Sequence, residues 1–191
     1  MFRALTLKLT KPLAFVTATL SLAAPAIAES YRDNSVPMTV ETGLDLDRYL
    51  GKWHEIARFP NRFEKNCFAV TAEYAVKDNG NISVLNTCRD GAVDGPVKQA
   101  EGAAFVAAPG KLEVSFVPFL SFLSFVRGDY WVLDVTPDYS VAVVGAPSGD
   151  TGWILARAPE ISGAELQAAL SVLEANGYDV SQIRMVPQNT N

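Results

Sequence analysis

Histidine and cysteine are scarce in this sequence, and their scarcity excludes most chemistry that needs a cluster of reactive side chains. Of the 191 residues, one is a histidine, His54, and two are cysteines, Cys67 and Cys88. Catalytic and metal sites usually bring several such groups together. The sequence also contains no Gly-x-Ser-x-Gly motif, no phosphate-binding loop and no zinc-ligand spacing. We therefore expect no metal site, no cofactor and no enzymatic activity.

Carboxylates on predicted strands are the remaining source of catalysis. Glu55, Asp129 and Asp134 lie on such strands. A buried acid can act as a general acid, as a ligand group or as the partner of an arginine. Because nothing in the sequence places a second catalytic group beside Glu55, we predict no catalytic residue.

Basic residues are outnumbered by acidic ones. The chain has 16 lysines and arginines against 21 aspartates and glutamates, which gives a formal net charge of −5. An acidic chain without a basic run argues against nucleic acid as a partner, and against electrostatic docking on anionic lipid.

No uncharged stretch near the N-terminus is long enough to cross a bilayer. Three basic residues precede an apolar run without charge over residues 13–24, which is shorter than the ~20 residues that a transmembrane helix needs. Ala26-Ile27-Ala28 follows, and this order is typical of a secretory signal peptide, residues 1–28, rather than a retained anchor. No cysteine lies near the cleavage position. We expect an exported, periplasmic protein, soluble rather than lipid-anchored, with outer-membrane association left open.

The two cysteines both belong to the mature part of the chain. In an exported protein an even number of cysteines favours a disulfide, and the separation of Cys67 and Cys88 suits a bridge between neighbouring strands. Closing a loop of that size is worth ~3 kcal/mol in the chain-entropy model. A reactive thiol or a metal site is the alternative, with only His54 to assist either one.

The sequence pattern predicts that the mature chain forms one all-β domain. We expect a flexible leader over residues 29–41, then a barrel domain with a C-terminal helix over residues 42–191. Turn residues separate eight short strand-like runs with no helix between them, which favours an eight-stranded antiparallel up-and-down barrel over a sandwich. The predicted runs cover residues 52–59, 67–77, 82–88, 97–106, 111–117, 129–135, 140–146 and 152–157.

One amphipathic helix follows the strands. Ser162 and Glu165 have capping-box spacing, and Gly177 provides a C-terminal stop. Between them lies a single apolar stripe at helical spacing, made of Leu166, Ala169, Leu170 and Leu173. We expect this helix to cover the outward faces of the first and eighth strands, with Ile56, Ile154 and Ala156.

Three motifs in order resemble the lipocalin family, specifically its bacterial lipocalin and apolipoprotein D-like branch. They are Gly51-x-Trp53 within residues 49–59, then residues 128–134 leading to Asp138-Tyr139, then residues 153–157 ending at Arg157. The likeness extends over residues 44–187. It implies an eight-stranded barrel that holds one small ligand. It also implies that Gly51, Trp53 and Arg157 are structural, with the guanidinium stacked on the indole at the closed end. Many bacterial members carry a lipidated N-terminal cysteine, which this chain lacks.

Strand alternation then predicts which side chains line the interior. A filled core without a ligand is the alternative, but small residues such as Ala72 and Ala142 leave space. The resemblance implies a fatty acid or a lysophospholipid as the ligand, carried in the barrel, with a tetrapyrrole or another planar apolar molecule as a lesser candidate. The predicted ligand-binding residues on the strands are Ala72, Tyr74, Val84, Asn86, Val114, Phe116, Tyr130, Val132, Val144 and Trp153.

The most apolar stretch of the mature chain, residues 116–126, joins the fifth and sixth strands. Exposed apolar patches tend to be contact sites. We consider three roles for this loop: a wall of the ligand entrance, a surface for a homodimer or for membrane contact, and ordinary core. Phe119, Phe122 and Phe125 are its candidate ligand-binding residues. The second role supports an alternative function, that of an envelope structural or interaction protein.

Overall fold

An antiparallel β-barrel forms the body of the protein in the computed structural model, which describes residues 30–77, 80–117, 120 and 123–188. Eight strands follow one another along the chain, as the turn pattern predicts. They are β1 (Gly51–Arg58), β2 (Cys67–Val76), β3 (Ile82–Asp90), β4 (Val97–Ala108), β5 (Lys111–Ser115), β6 (Gly128–Val135), β7 (Val141–Gly145) and β8 (Gly152–Ala156).

The barrel closes through β1, which pairs with both β2 and β8. Each of the other strands pairs with its neighbours in sequence, so closure leaves no long unpaired edge. The pairing of β1 with β2 ends at His54. A short ninth strand that the sequence pattern did not predict, β9 (Arg184–Met185), then pairs with Ala57 and Arg58 along the rest of β1.

The amphipathic helix packs outside the barrel. It is the second α-helix of the described residues, α2 (Gly163–Ala175), and it begins at the predicted capping box between Ser162 and Glu165. It ends two residues before Gly177, whose φ of 86° suits glycine. Its buried residues share a cluster with Ile56, Ile154 and Ala156, as expected. The strands in closest contact with the helix are nevertheless β7 and β6 rather than β1 and β8.

The segment expected to be a flexible leader is instead packed against the barrel over residues 30–41. Tyr31 and Arg32 are buried. The backbone N–H of Tyr31 donates to the carbonyl of Gly149 at 2.7 Å, and that of Asp33 donates to Gly177 at 2.8 Å. Sequence reasoning missed this packing, because it depends on backbone hydrogen bonds and on the isolated side chains of Tyr31 and Arg32 rather than on a periodic apolar pattern.

Several expectations fall on residues outside the described ranges. The signal peptide, residues 1–28, is one of these, and Phe119 and Phe122 are two others. Within the described part of the chain, no helix is long and apolar enough to cross a membrane.

Candidate functional site

One end of the barrel is closed by Trp53 and Arg157. Trp53 is fully buried, and the guanidinium carbon of Arg157 lies 3.7 Å from the centre of its indole ring. The indole Nε1 donates to the carbonyl of Tyr49 at 2.8 Å. A cation over an indole face is worth ~0.5–2 kcal/mol. The geometry is the one that the resemblance implies for these two residues.

Arg157 also ties the short helix α1 (Leu46–Tyr49) to the barrel. Its guanidinium donates to the carbonyls of Arg48 at 2.7 Å and Lys52 at 2.8 Å. Gly51 lies between these elements with a φ of 90°, a backbone conformation that L side chains rarely adopt. A glycine is therefore required for the chain to turn from α1 into β1.

Three tyrosines meet in the interior just above this plug. The hydroxyl of Tyr74 donates to that of Tyr130 at 2.9 Å, and the hydroxyls of Tyr130 and Tyr49 are 2.8 Å apart. The ring of Tyr130 stacks on Trp153, with centroids 6.3 Å apart. Burial raises the pKa of each of the three phenols, so all three stay uncharged. The interior is thus lined mainly by apolar side chains but carries a row of three hydroxyl groups.

A cluster of charged groups occupies the other half of the interior. The Glu55 carboxylate accepts from Arg58 Nη1 at 2.6 Å. Glu64, from the loop between β1 and β2, accepts from the indole Nε1 of Trp153 at 3.1 Å. A β-bulge between Glu55 and Ala57 explains the arrangement. The extra residue turns Ala57 outward, contrary to the simple alternation, and brings Arg58 to the inner face.

Glu55 is 4% exposed, and its pKa is raised well above its ordinary value. Burial is the main cause, followed by the charge of Glu64 and a hydrogen bond to that carboxyl group, while Arg58 opposes the shift. Two carboxyl groups in contact cannot both ionise cheaply. The contact with Glu64 therefore adds to burial in favouring the neutral form of Glu55.

The interior is open to solvent on the side of β2, β3 and β4. Ala72, Asn86 and Ala100 are paired across these strands and so share the inner face, yet Ala72 and Asn86 are only half-buried and Ala100 is exposed. The ring of Phe116 lies beside Gly102, where a Cβ would come within 2.8 Å of it. Solvent therefore reaches the inner face of the barrel at these positions. The side-chain oxygen of Asn86 is buried there with no hydrogen-bond partner.

The structure places most of the predicted ligand-binding residues together. The inner cluster contains Tyr74, Val84, Tyr130, Val132 and Val144, with Ala72, Val114 and Trp153 packed against it. Phe125 does not join them, because it is 80% exposed. Sequence reasoning missed Tyr49, Arg58 and Glu64. Arg58 was hidden by the bulge, and Glu64 lies in a loop, where no periodicity indicates direction.

Exposed apolar side chains gather at the open end. Phe63 in the loop between β1 and β2 is 73% exposed, and Phe125 in the loop between β5 and β6 is 80% exposed. The second loop also exposes Phe116, Val117 and Leu120. These five residues form what we call the apolar rim.

Cys67 and Cys88 form the predicted disulfide, which joins β2 to β3 with the Cα atoms 5.4 Å apart. Neither thiol is available for other chemistry. Among the described residues, no three histidine, cysteine, aspartate or glutamate side chains are grouped so that they could hold a metal ion.

Comparison with known proteins gives consistent matches over the barrel. A family model described as a lipocalin-like domain matches residues 44–188. The outer membrane lipoprotein Blc of Escherichia coli K12 is 40% identical over 155 residues, which cover 79% of this chain and 83% of that protein. Apolipoprotein D of Mus musculus is 32% identical over 159 residues, covering 78% and 79%.

The solved structure of insecticyanin from Manduca sexta has the same architecture. It matches with a TM-score of 0.63 at 22% identity, and the match covers 84% of this chain and 88% of that one. At this level of identity the likeness is evidence for the fold alone.

Proposed function

This chain belongs to the lipocalin family, and from that premise we propose that it is an exported carrier of a small hydrophobic ligand held in its barrel. Members of the family bind and transport such ligands rather than catalyse reactions. The observation that supports a carrier in this chain is the half-open inner face at Ala72, Asn86 and Ala100. A barrel filled by its own side chains would bury all three.

The proposed ligand is a fatty acid or a lysophospholipid. Apolar inner residues such as Val84, Val114 and Val132 suit an acyl chain, and each buried CH₂ group contributes ~0.8 kcal/mol. A chain of moderate length therefore reaches roughly micromolar affinity even after ordering costs. Tyr74, Tyr130 and Asn86 offer polar atoms to the rest of the ligand.

Native mass spectrometry of the exported protein, followed by organic extraction, tests the proposal directly. We expect a bound lipid to co-purify, and a fluorescent fatty acid to be displaced by added lipid. The carrier proposal fails if no lipid is found and the fluorescent fatty acid does not bind.

A pair of matched substitutions shows whether binding uses the barrel interior. Ala100→Phe places a large ring on the open inner face of β4, and we expect a loss of about tenfold or more in affinity, since a well-fitted ligand loses several contacts. Ala75→Phe is the control, because Ala75 follows the inward Tyr74 on β2 and is exposed on the outer face. Equal affinity in the two variants would place the ligand elsewhere.

The apolar rim favours a second function, membrane or homodimer contact at the open end. Phe63 and Phe125 belong to different loops, yet both are largely exposed, and apolar patches of this kind mark contact surfaces. The guanidinium of Arg62 lies 4.8 Å from the ring centre of Phe63, so a cation accompanies the apolar group, as is common where proteins meet lipid head groups.

Replacing Phe63 and Phe125 with serine tests this second function. We expect the double variant to sediment less with phospholipid vesicles, or to lose a dimer in ultracentrifugation, while its ligand affinity stays unchanged. Replacing the exposed Val76 and Val106 with serine is the control, since both lie outside the apolar rim. The second function is rejected if the rim variant keeps its vesicle binding and its oligomeric state.

The proposed location is the periplasm, with the protein soluble in the envelope. The Escherichia coli relative is named an outer membrane lipoprotein, which supports an envelope location. In this chain both cysteines are joined in a disulfide. Cell fractionation checks the location, with release in the osmotic-shock fraction as the expected result.

A further inference from the structure

The charged cluster inside the barrel is unusual because it has two acids and one base. Glu55 and Arg58 are joined at 2.6 Å, and Glu64 contacts Glu55 closely enough to form a hydrogen bond. Glu55 is 4% exposed, and the side chain of Arg58 is 14% exposed. Burying charged groups is costly unless they are matched. A cluster kept in the interior at this cost is expected to influence what else can enter.

The cation of the cluster is already engaged by the protein. Arg58 Nη1 donates to Glu55, and Nη2 donates to the backbone carbonyls of Glu64 at 2.9 Å and Cys67 at 3.0 Å. An incoming anion would therefore have to compete with three acceptors for one guanidinium. It would also approach the carboxyl group of Glu64, which repels an anion.

The neighbouring donors are also engaged, whereas acceptors have capacity to spare. The indole N–H of Trp153 is used by Glu64, and the hydroxyl of Tyr74 is used by Tyr130. In contrast, the Asn86 side-chain oxygen has no partner. Trp153 and Asn61 both donate to the same oxygen of Glu64, Oε2. A carboxylate has about four acceptor sites, so Glu64 can accept one more hydrogen bond even with Glu55 as its third partner.

We propose that Glu64 and Glu55, together with Asn86, make the barrel selective for a ligand whose polar group donates hydrogen bonds, such as a hydroxyl or an ammonium group. This inference rests on the proposed carrier function and narrows it. A carboxylate beside Glu64 is repelled, so a fatty acid is expected to bind less tightly than an uncharged lipid alcohol of the same chain length. An uncharged lipid alcohol places its hydroxyl against Glu64 or Asn86.

Three probes of equal chain length distinguish the effect of a hydrogen-bond donor on the ligand from the effect of an uncharged head group. Lauryl alcohol can donate, methyl laurate is neutral but cannot donate, and laurate is anionic. Each is used to displace the neutral fluorophore N-phenyl-1-naphthylamine from the full mature protein at neutral pH. We expect the alcohol to bind about tenfold more tightly than the ester, the gain of one hydrogen bond to a charged acceptor. Laurate is expected to be the weakest.

Glu64→Gln is the decisive variant, because it keeps the shape and an acceptor for Trp153 while it removes the charge and adds a donor. We expect the preference for the alcohol over the ester to shrink about tenfold, to near parity. Glu113→Gln is the control, since Glu113 pairs with Arg127, whose guanidinium lies over the Phe105 ring outside the inner cluster. Glu55→Gln gives a second variant should Glu64→Gln fold poorly, as judged by thermal unfolding.

The possible outcomes distinguish failure of the proposed selectivity from failure of the proposed carrier function. If alcohol and ester bind equally well to the unaltered protein, or if Glu64→Gln and Glu113→Gln keep the same preference, the selectivity is overturned while the carrier function stands. If the fluorophore and all three probes fail to bind, the carrier function fails and the selectivity fails with it.

Discussion

At the scale of single residues, the most consequential group is the carboxyl group of Glu55. The bulge in β1 places it beside Arg58 and Glu64 inside the barrel. Its pKa is raised by burial first and by Glu64 second. A buried acid of this kind links the stability of the fold to pH.

Replacing Glu55 with glutamine is expected to remove a pH dependence of the free energy of unfolding. The folded protein keeps the Glu55 proton in a pH range where the unfolded chain, with a pKa near 4.5, has released it. Stability is therefore fully present below that value and falls as the pH rises toward the raised pKa, by at most ~1.4 kcal/mol per pH unit for one proton. In Glu55→Gln the slope should flatten.

Urea unfolding between about pH 5 and pH 9 measures that slope. Glu101→Gln is the control, because Glu101 is exposed on β4 and its replacement should leave the slope as it is. Identical slopes in the unaltered protein and in Glu55→Gln would show that Glu55 ionises in the fold as it does in the unfolded chain.

At the scale of elements, α2 shows how local signals fix both ends of a helix. Ser162 accepts from the backbone of Glu165 at 3.2 Å, and Glu165 accepts in return from the backbone of Ser162 at 2.7 Å. At the other end, Gly177 donates to Glu174, and Tyr178 donates to Leu173. This is the Schellman arrangement that a glycine at this position allows.

Ser162→Ala is expected to destabilise the protein by ~1 kcal/mol, because it leaves a backbone donor at the start of α2 without its partner. Ser171→Ala is a matched control in the same helix, since Ser171 is exposed and bonds only to the carbonyl of Gln167, and alanine is the better helix former. Thermal unfolding compares the two. Equal melting temperatures would mean that the cap contributes nothing.

The packed N-terminal segment, residues 30–41, provides the second prediction for an element. Tyr31 stacks on Phe59 with ring centroids 5.1 Å apart, and its hydroxyl donates to the carbonyl of Pro60 at 2.8 Å. Tyr31→Ala should cost ~3 kcal/mol through the lost packing. Tyr31→Phe should cost only ~1 kcal/mol, the value of the hydrogen bond. Chemical denaturation distinguishes the two, and a mobile segment would give no change in either variant.

At the scale of the whole molecule, the two ends of the barrel have different tasks. The closed end contains Trp53 and Arg157, which hold α1 and the barrel together. The open end carries the apolar rim and the exposed inner positions of β4. We therefore expect stability and ligand selectivity to depend on different tryptophans.

Trp53→Ala should cost ~3–5 kcal/mol of stability because the indole is fully buried, with little change in the relative affinities of different ligands. Trp153→Ala should instead alter those relative affinities, since Trp153 is only partly buried and donates to Glu64. Denaturation and probe displacement on both variants provide the comparison. A larger change of selectivity in Trp53→Ala would reverse the assignment of the two ends.

The barrel interior shows where strand alternation predicts the inward-facing residues correctly and where it fails. Counted from Trp53, alternation predicts that Glu55 and Ala57 face inward on β1, and Glu55 is indeed buried inside. Alternation failed two residues later, at Ala57, because a bulge adds a residue without leaving a clear mark in the sequence. The family motifs placed Gly51, Trp53 and Arg157 at one end. No local pattern could show that Glu64 reaches into the barrel from a loop.

The sequence by itself determined the barrel, the outer helix, the disulfide and the family, because alternation, turn residues, capping signals and short motifs are all local features of the chain. Only the tertiary structure decided the chemistry of the interior. The contacts among Glu55, Arg58, Glu64 and Trp153 depend on one bulge, one loop and the closure of β1 onto β8. Burial and proximity shift the pKa of a side chain and bring hydrogen-bond donors to their acceptors. Both arise only when strands distant in sequence pack together.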